Sequence, residues 1–175
     1  MKWLAAGLVL VVCVALAAYK MHAVIHTHVF LSLTPSMQPG LYWLDPGERA
    51  ERGEIAIACV PGPFARWAVA AHVLKPDTRC DGVEPIVKRV VAVAGDHVAF
   101  TKRGVFVNGQ YQTGSQRMRS FSGQPIPYVL EHDGVQLRPG EALLLGDNRS
   151  ASFDGRYFGA TDRVLGRAEL FFRCK

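Results

Sequence analysis

Four cysteines among 175 residues are too few for a disulfide-stapled mini-protein. With 17 glycines and 10 prolines, and no repeat, the chain is neither collagen-like nor low-complexity. Charge is also sparse, at 20% of residues, while 49% are apolar, which excludes a disordered tail. Several chemical signatures are missing. There is no Gly-x-Ser-x-Gly elbow, no Ser-x-x-Lys, no His-Glu-x-x-His, no phosphate loop and no dinucleotide fingerprint. His22, His26 and His28 are close in sequence but have no acidic partners nearby, so they read as a juxtamembrane polar collar rather than a metal site.

One feature is abundant. Trp3 to Tyr19 run seventeen residues without a charge, bracketed by Lys2 and Lys20. As a helix this run spans roughly 26 Å, close to the ~30 Å hydrocarbon core of a bilayer. Met21 to Ile25 can extend it, and Trp3 and Tyr19 sit where interfacial aromatics belong. The segment reads as an uncleaved anchor over residues 1–21. A cleavable signal peptide is the rival, because Ala15-Leu16-Ala17 fits a small-residue cleavage site. Lys2 and the terminal amine together outweigh Lys20, which favours an inside N-terminus and places residues 22–175 across the membrane. The net charge is +5, and setting the anchor aside removes Lys2, Lys20 and no acid, leaving net +3. The basic residues are scattered, so no nucleic-acid partner is expected.

The remainder reads as strand. Glu54 to Val60 alternates and stops at Pro61-Gly-Pro. Ile86 to Ala94 is β-branched and stops at Gly95-Asp96. Val105 to Tyr111 holds Asn108-Gly109, the signal of a type I′ hairpin. Ala142 to Leu145 and Val164 to Phe172 complete the set, the last with a bulge at Gly166. Residues 112–134 look like loop, and Phe64 to Leu74 is ambiguous between helix and loop. Cys59 and Cys80 either close a loop or remain buried thiols; the spacing alone leaves both open.

Two residues suggest chemistry. Lys88 shares one strand face with Ile86, Val90, Ala92 and Ala94 and is the only polar group there. Burial disfavours an ammonium, and a neutral lysine is a general base. Ser36 lies between Pro35 and Pro39, in a stretch rigid enough to hold a hydroxyl in one geometry. Asp154 and Arg156, two apart, can pair on one face of an extended segment.

The order of motifs is more specific than any one of them. TPSMQPGLYWL, ERGEIAI, VKRVVAVAGDHV, VFVNGQ, LLLGDNRSASFDGRYFG and GRA follow an N-terminal anchor. Together they resemble the serine–lysine signal peptidase family over nearly the whole chain. The short length, single anchor and Gly40-Leu41-Tyr42 continuation are similar to its conjugative-transfer branch, the TraF type. The resemblance implies a mainly β fold, a coiled antiparallel sheet body with an N-terminal transmembrane helix and a small loop-rich insertion around residues 97–140.

It also implies roles. Ser36 matches the nucleophile and Lys88 the base. The Ser36 N–H and the Thr34 hydroxyl match oxyanion donors. Ser152 matches a serine that bonds the lysine amine, Asp154 a supporting carboxylate beside Arg156, and Arg89 with Asp147 an ion pair. Gly155 departs from the family, which more often has serine there, and the expectation is a looser turn. No cofactor and no metal is implied. The expected activity is membrane-anchored endopeptidase processing of a conjugative pilin precursor or another exported protein, with pilin ring closure as one outcome. The site is expected on the periplasmic side of a bacterial inner membrane, with the bilayer and a membrane-bound precursor as partners. A general signal peptidase and a non-enzymatic assembly factor on the same scaffold are the alternatives.

Overall fold

Val29 follows His28 with no linker, so the long N-terminal helix passes directly into the first strand. The structure, a computed structural model, describes residues 2–121 and 123–174, with side chains from residue 10 onward. The Trp3 side chain, expected at the membrane interface, lies outside that set. Helix α1 (Lys2–His28) is 27 residues long, about 40 Å. Within it Leu10–His28 has mean hydropathy 1.6, and none of its residues is buried. It is long and apolar enough to cross a membrane, and it runs on past the boundary expected at residue 21. His28 does not join a collar. Its Nδ1 donates to the Leu44 carbonyl at 2.7 Å and its ring stacks on Trp43, which fastens the end of α1 to the body.

The body follows in order: β1 (Val29–Ser32), β2 (Gly40–Asp45), β3 (Ile55–Ala58), α2 (Gly62–Ala70), β4 (Ile86–Val93), β5 (His97–Thr101), β6 (Gly104–Val107), β7 (Gln110–Tyr111), β8 (Ser120–Phe121), β9 (Gln124–Pro125), β10 (His132–Gln136), β11 (Ala142–Leu145), α3 (Gly155–Phe158) and β12 (Val164–Arg173). A six-stranded antiparallel sheet has the order β1-β2-β12-β3-β4-β11. In β2 the period of two buries Tyr42 and Leu44 and leaves Trp43 outside. The register of β12 on β3 shifts between Val164 and Gly166. Gly166 has φ +156, and a Cβ there would collide with the Asp45 carbonyl, so only glycine fits the bulge.

The region 97–140 is more ordered than its composition suggests. Strands β10-β5-β6-β7 form a second sheet. Val98, Phe100, Val105 and Val107 alternate into a core shared with Leu143 and Leu145 of β11. Strand β10 reads HDGVQ and is mostly exposed, so it shows no apolar period. The turn at Asn108 (φ 49) and Gly109 (φ 79) has both central residues left-handed, as a type I′ hairpin requires.

The ambiguous stretch after Pro61 is α2, with Pro at its first turn and Ala65 and Ala68 buried. Trp67 lies 5.3 Å from Phe153 and Phe64 6.4 Å from Phe158, ring centre to ring centre, so α2 covers the segment that carries Ser152 and Asp154. Cys59 and Cys80, 21 positions apart, form a disulfide with a Cα–Cα distance of 5.4 Å and so close a loop. Such a loop stabilises by about 3 kcal/mol.

Candidate active site

Lys88 sits at the centre of β4, paired with Ala56 of β3. Ser36 lies in the turn that joins β1 to β2, and the Ser36 carbonyl accepts from the Asn148 N–H at 3.1 Å. That bond ties the turn to the segment after β11. Both residues are buried, Ser36 at 2% and Lys88 at 4% exposure. Lys88 Nζ donates to Ser36 Oγ at 2.8 Å and to the Val87 carbonyl at 3.0 Å. Thr34 Oγ1 lies 3.0 Å from Ser36 Oγ on the other side. The serine hydroxyl is therefore held between an amine and a second hydroxyl.

Burial pushes the Lys88 amine down from its ordinary value near 10.5 to about 8. The Asp154 carboxylate opposes that shift, and the Arg156 guanidinium reinforces it. About a tenth of the amine is then neutral at pH 7, and the neutral form is what proton acceptance needs.

Behind the pair lies a buried ion pair. Arg156 Nε bonds Asp154 Oδ1 at 2.8 Å, with side-chain exposures of 1% and 0%. Asp154 also accepts from the N–H of Arg156 at 3.1 Å, where it caps α3, and from the Gly146 N–H at 2.9 Å. The Arg156 guanidinium donates further to the carbonyls of Gln116, Arg149 and Ser152. These two side chains thus fasten together three segments that meet beneath Ser36 and Lys88. Arg89 and Asp147 form a two-pronged pair at 2.6 Å, and Arg89 also donates to the Gly53 carbonyl. Being more than a third exposed on both sides, that pair contributes only ~0.2–1 kcal/mol.

Two expectations need correction. Ser152 is fully buried, but its Oγ has no hydrogen-bond partner among the described residues. The lysine amine bonds the Val87 carbonyl instead, so Ser152 does not bond the amine here. Gly155 does not loosen a turn. It is buried at the start of α3, and a Cβ there would stand 2.8 Å from the Leu144 carbonyl and 2.6 Å from Leu143 Cδ1. The missing side chain lets α3 pack onto β11.

The sequence reading did not single out Phe30, Met37 or Gly146. Phe30, Met37 and Val87 belong to one apolar cluster, and Met37 and Val87 adjoin Ser36 and Lys88 in sequence. At Gly146 a Cβ would collide with Ser152 and press on the Ser36 carbonyl. Its place before Asp147 in the Gly-Asp-Asn-Arg run was the available signal.

The chain is similar to known proteins. Residues 1–173 match the family described as signal peptidase, peptidase S26. A plasmid transfer protein TraF of Escherichia coli is 34% identical over 166 residues, covering 93% of this chain and 88% of its own length. A second Escherichia coli TraF is 33% identical, covering 93% and 90%. Signal peptidase IB of Staphylococcus aureus is 31% identical over 100 residues, 49% of this chain and 52% of that protein. Among solved structures, a signal peptidase I from Enterococcus faecalis V583 is similar at 19% identity and a TM-score of 0.37, covering 69% of this chain and 97% of that one. With its β-sheet body, apolar N-terminal helix and full-length match, the chain belongs to the signal peptidase S26 family.

Proposed function

We propose that this chain is a membrane-anchored serine endopeptidase in which Ser36 is the nucleophile and Lys88 the general base. The observation that carries this reading is the buried 2.8 Å contact between Lys88 Nζ and Ser36 Oγ, with the amine pushed down to about 8. Ser36 Oγ attacks the scissile carbonyl while neutral Lys88 takes the hydroxyl proton. The oxyanion is met by the Ser36 N–H and the Thr34 hydroxyl. Lys88 then passes its proton to the leaving amine, and an ester to Ser36 remains. Water resolves the ester to a free carboxylate. If an amine of the substrate's own chain attacks instead, an amide closes a ring and Ser36 regains its proton.

The substrate is a membrane-bound precursor, as the family's chemistry implies; the relatives are plasmid transfer proteins, and a pilin-like protein of conjugative transfer is the precursor we propose. The site lies close to the bilayer, because only seven residues separate the end of α1 from Ser36. The body lies on the periplasmic face of a bacterial inner membrane. Expressing the chain with a pilin precursor and weighing the product tests this. A shortened product supports the reading, and a further loss of one water marks ring closure. A precursor of unchanged mass contradicts it.

Two expected results follow. Cleavage rises with pH and levels off above about 8, because below that value the amine is an ammonium and cannot accept a proton. A rate that is flat from about pH 6 to about pH 9 would contradict the lysine base. Thr34→Val, which removes the hydroxyl but keeps the shape, lowers kcat by ~10²–10³ while Thr34→Ser stays close to the parent. Equal rates for the valine and serine variants would remove Thr34 from the oxyanion site.

A further inference from the structure

Every other arginine among the described residues either pairs with an acid or is exposed. Arg149 does neither. It is half-buried, its Nη1 is shut off from solvent, and its guanidinium has no hydrogen bond or ion pair among the described residues. Burial pushes that group below the ordinary arginine value, and the Asp154 and Asp147 carboxylates oppose the shift without touching it. A cation withdrawn from water and left without a counter-charge is costly, so folded proteins keep such groups paired. An unpaired one points to a negative charge that arrives with a ligand.

The place of Arg149 says which ligand. It opens the short helical turn Arg149–Ala151 after β11. The backbone of this turn is fixed on both sides. The preceding Asn148 N–H donates to the Ser36 carbonyl at 3.1 Å. The Arg149 and Ser152 carbonyls accept from Arg156 Nη2 at 2.6 and 2.7 Å. The aliphatic stem of Arg149 lies along the turn after β7, since a Cβ at Gly114 would stand 3.9 Å from Arg149 Cβ and 4.0 Å from its Cγ and Cδ. Backbone and stem are therefore both held, while the fork at the end has no task among the described residues. The fork lies one residue and one side-chain length from Ser36, on the order of 10 Å, which about three residues of extended peptide span.

We propose that Arg149 binds a carboxylate of the substrate, about three residues from the bond that Ser36 attacks. This rests on the peptidase reading above, which brings the substrate backbone to Ser36. A guanidinium fork meets a carboxylate with two parallel N–H···O bonds, and a partly desolvated setting strengthens them. The carboxylate belongs either to an acidic side chain or to the end of the substrate chain. A lipid phosphate is the other anion at a membrane, but the fork is anchored through Asn148 to the turn that carries Ser36, which favours a group that travels with the peptide.

The test uses the full chain with Ser36→Ala in detergent micelles, so that no turnover occurs, and reads the binding of fluorescent peptides by anisotropy. A neutral peptide of alanine and serine with an amidated C-terminus is the reference. One series carries a single glutamate at each position in turn. A second series carries a C-terminal acid at successive lengths. At one position or one length the carboxylate is expected to tighten binding by roughly tenfold or more. A gain in the first series assigns a side chain, and a gain in the second assigns a chain end. Arg149→Gln keeps part of the stem and drops the charge; it removes the gain while the melting temperature holds. Arg149→Lys keeps part of the gain, because an ammonium lacks the planar fork. Absence of any carboxylate gain, or the same gain in Arg149→Gln, overturns the proposal. Weakened binding of Arg149→Gln to phosphatidylglycerol vesicles, with the carboxylate gain intact, overturns it in favour of a lipid phosphate. An Arg149-dependent gain, in a chain whose Ser36 form leaves peptides and membrane-bound precursor uncut, overturns the peptidase reading and leaves the carboxylate site standing. Cleavage indifferent to the carboxylate does the reverse.

Discussion

Lys88→Met is expected to abolish precursor cleavage and, at neutral pH, to make the folded chain more stable. The loss of activity follows from removing the base that stands 2.8 Å from Ser36 Oγ. Groups that act as a unit with a nucleophile typically contribute on the order of 10⁴-fold or more to kcat. The gain in stability has a different origin. In the unfolded chain the amine titrates near 10.4. In the folded chain burial lowers it to about 8. Between those values the unfolded chain binds more protons, so stability rises with pH through that window. Below about 8 the folded state carries the full penalty of a buried ammonium, about 3 kcal/mol. Methionine removes the penalty and fills similar space. Against this, the hydrogen bonds to Ser36 and Val87 are lost, at about 1 kcal/mol each. The expected net gain is therefore about 1 kcal/mol at pH 7, turning into a loss above about pH 9. Denaturant unfolding at both pH values checks the sign. Retained cleavage, or a variant destabilised equally at both pH values, would contradict the role given to Lys88.

Asp154→Asn is the second large effect, and it acts on stability first. Arg156 is 1% exposed and Asp154 fully buried, so asparagine leaves a cation in the interior without its counter-charge. Breaking one side of a buried pair costs about 3–5 kcal/mol. Native stability is about 5–15 kcal/mol in total, so this is a large share. The melting temperature should fall by roughly 10 °C. Activity should fall too, because Asp154 holds the Gly146 N–H and Arg156 holds the Arg149 and Ser152 carbonyls, which together shape the floor under Lys88. A surface comparison sharpens the point. Asp147→Asn breaks a pair that is more than a third exposed on both sides, and it should shift stability by only ~0.2–1 kcal/mol. Similar melting temperatures for the two variants would contradict the structural weight given to the buried pair.

Much of this architecture is legible in the chain because its signals are local. The uncharged run announces α1, Asn108-Gly109 announces a hairpin, and the single lysine on an apolar strand face marks Lys88. The motif order carried the family. Other features depend on contacts between distant segments. Strand β10 is mostly exposed and is ordered by pairing with β5, which no period in HDGVQ reveals. Helix α2 spans nine residues and buries alanines, so its pattern is too short to read. Gly155 seemed a weak point of the motif, whereas the nearness of the Leu144 carbonyl makes it the residue that fits. The segment after α2 is held by the Cys59–Cys80 disulfide, the Arg163–Asp81 ion pair and the Arg79–Phe30 cation–π contact, which join residues far apart in sequence.

The central claim is that Ser36 carries the acyl group during peptide cleavage. Mixing the full chain with its precursor, quenching in acid and mapping the protein by mass spectrometry tests it most directly. An ester-linked substrate fragment on the peptide that contains Ser36, absent in Ser36→Ala, is the predicted result. Cleavage that proceeds in Ser36→Ala, or an adduct on any other residue, would contradict it.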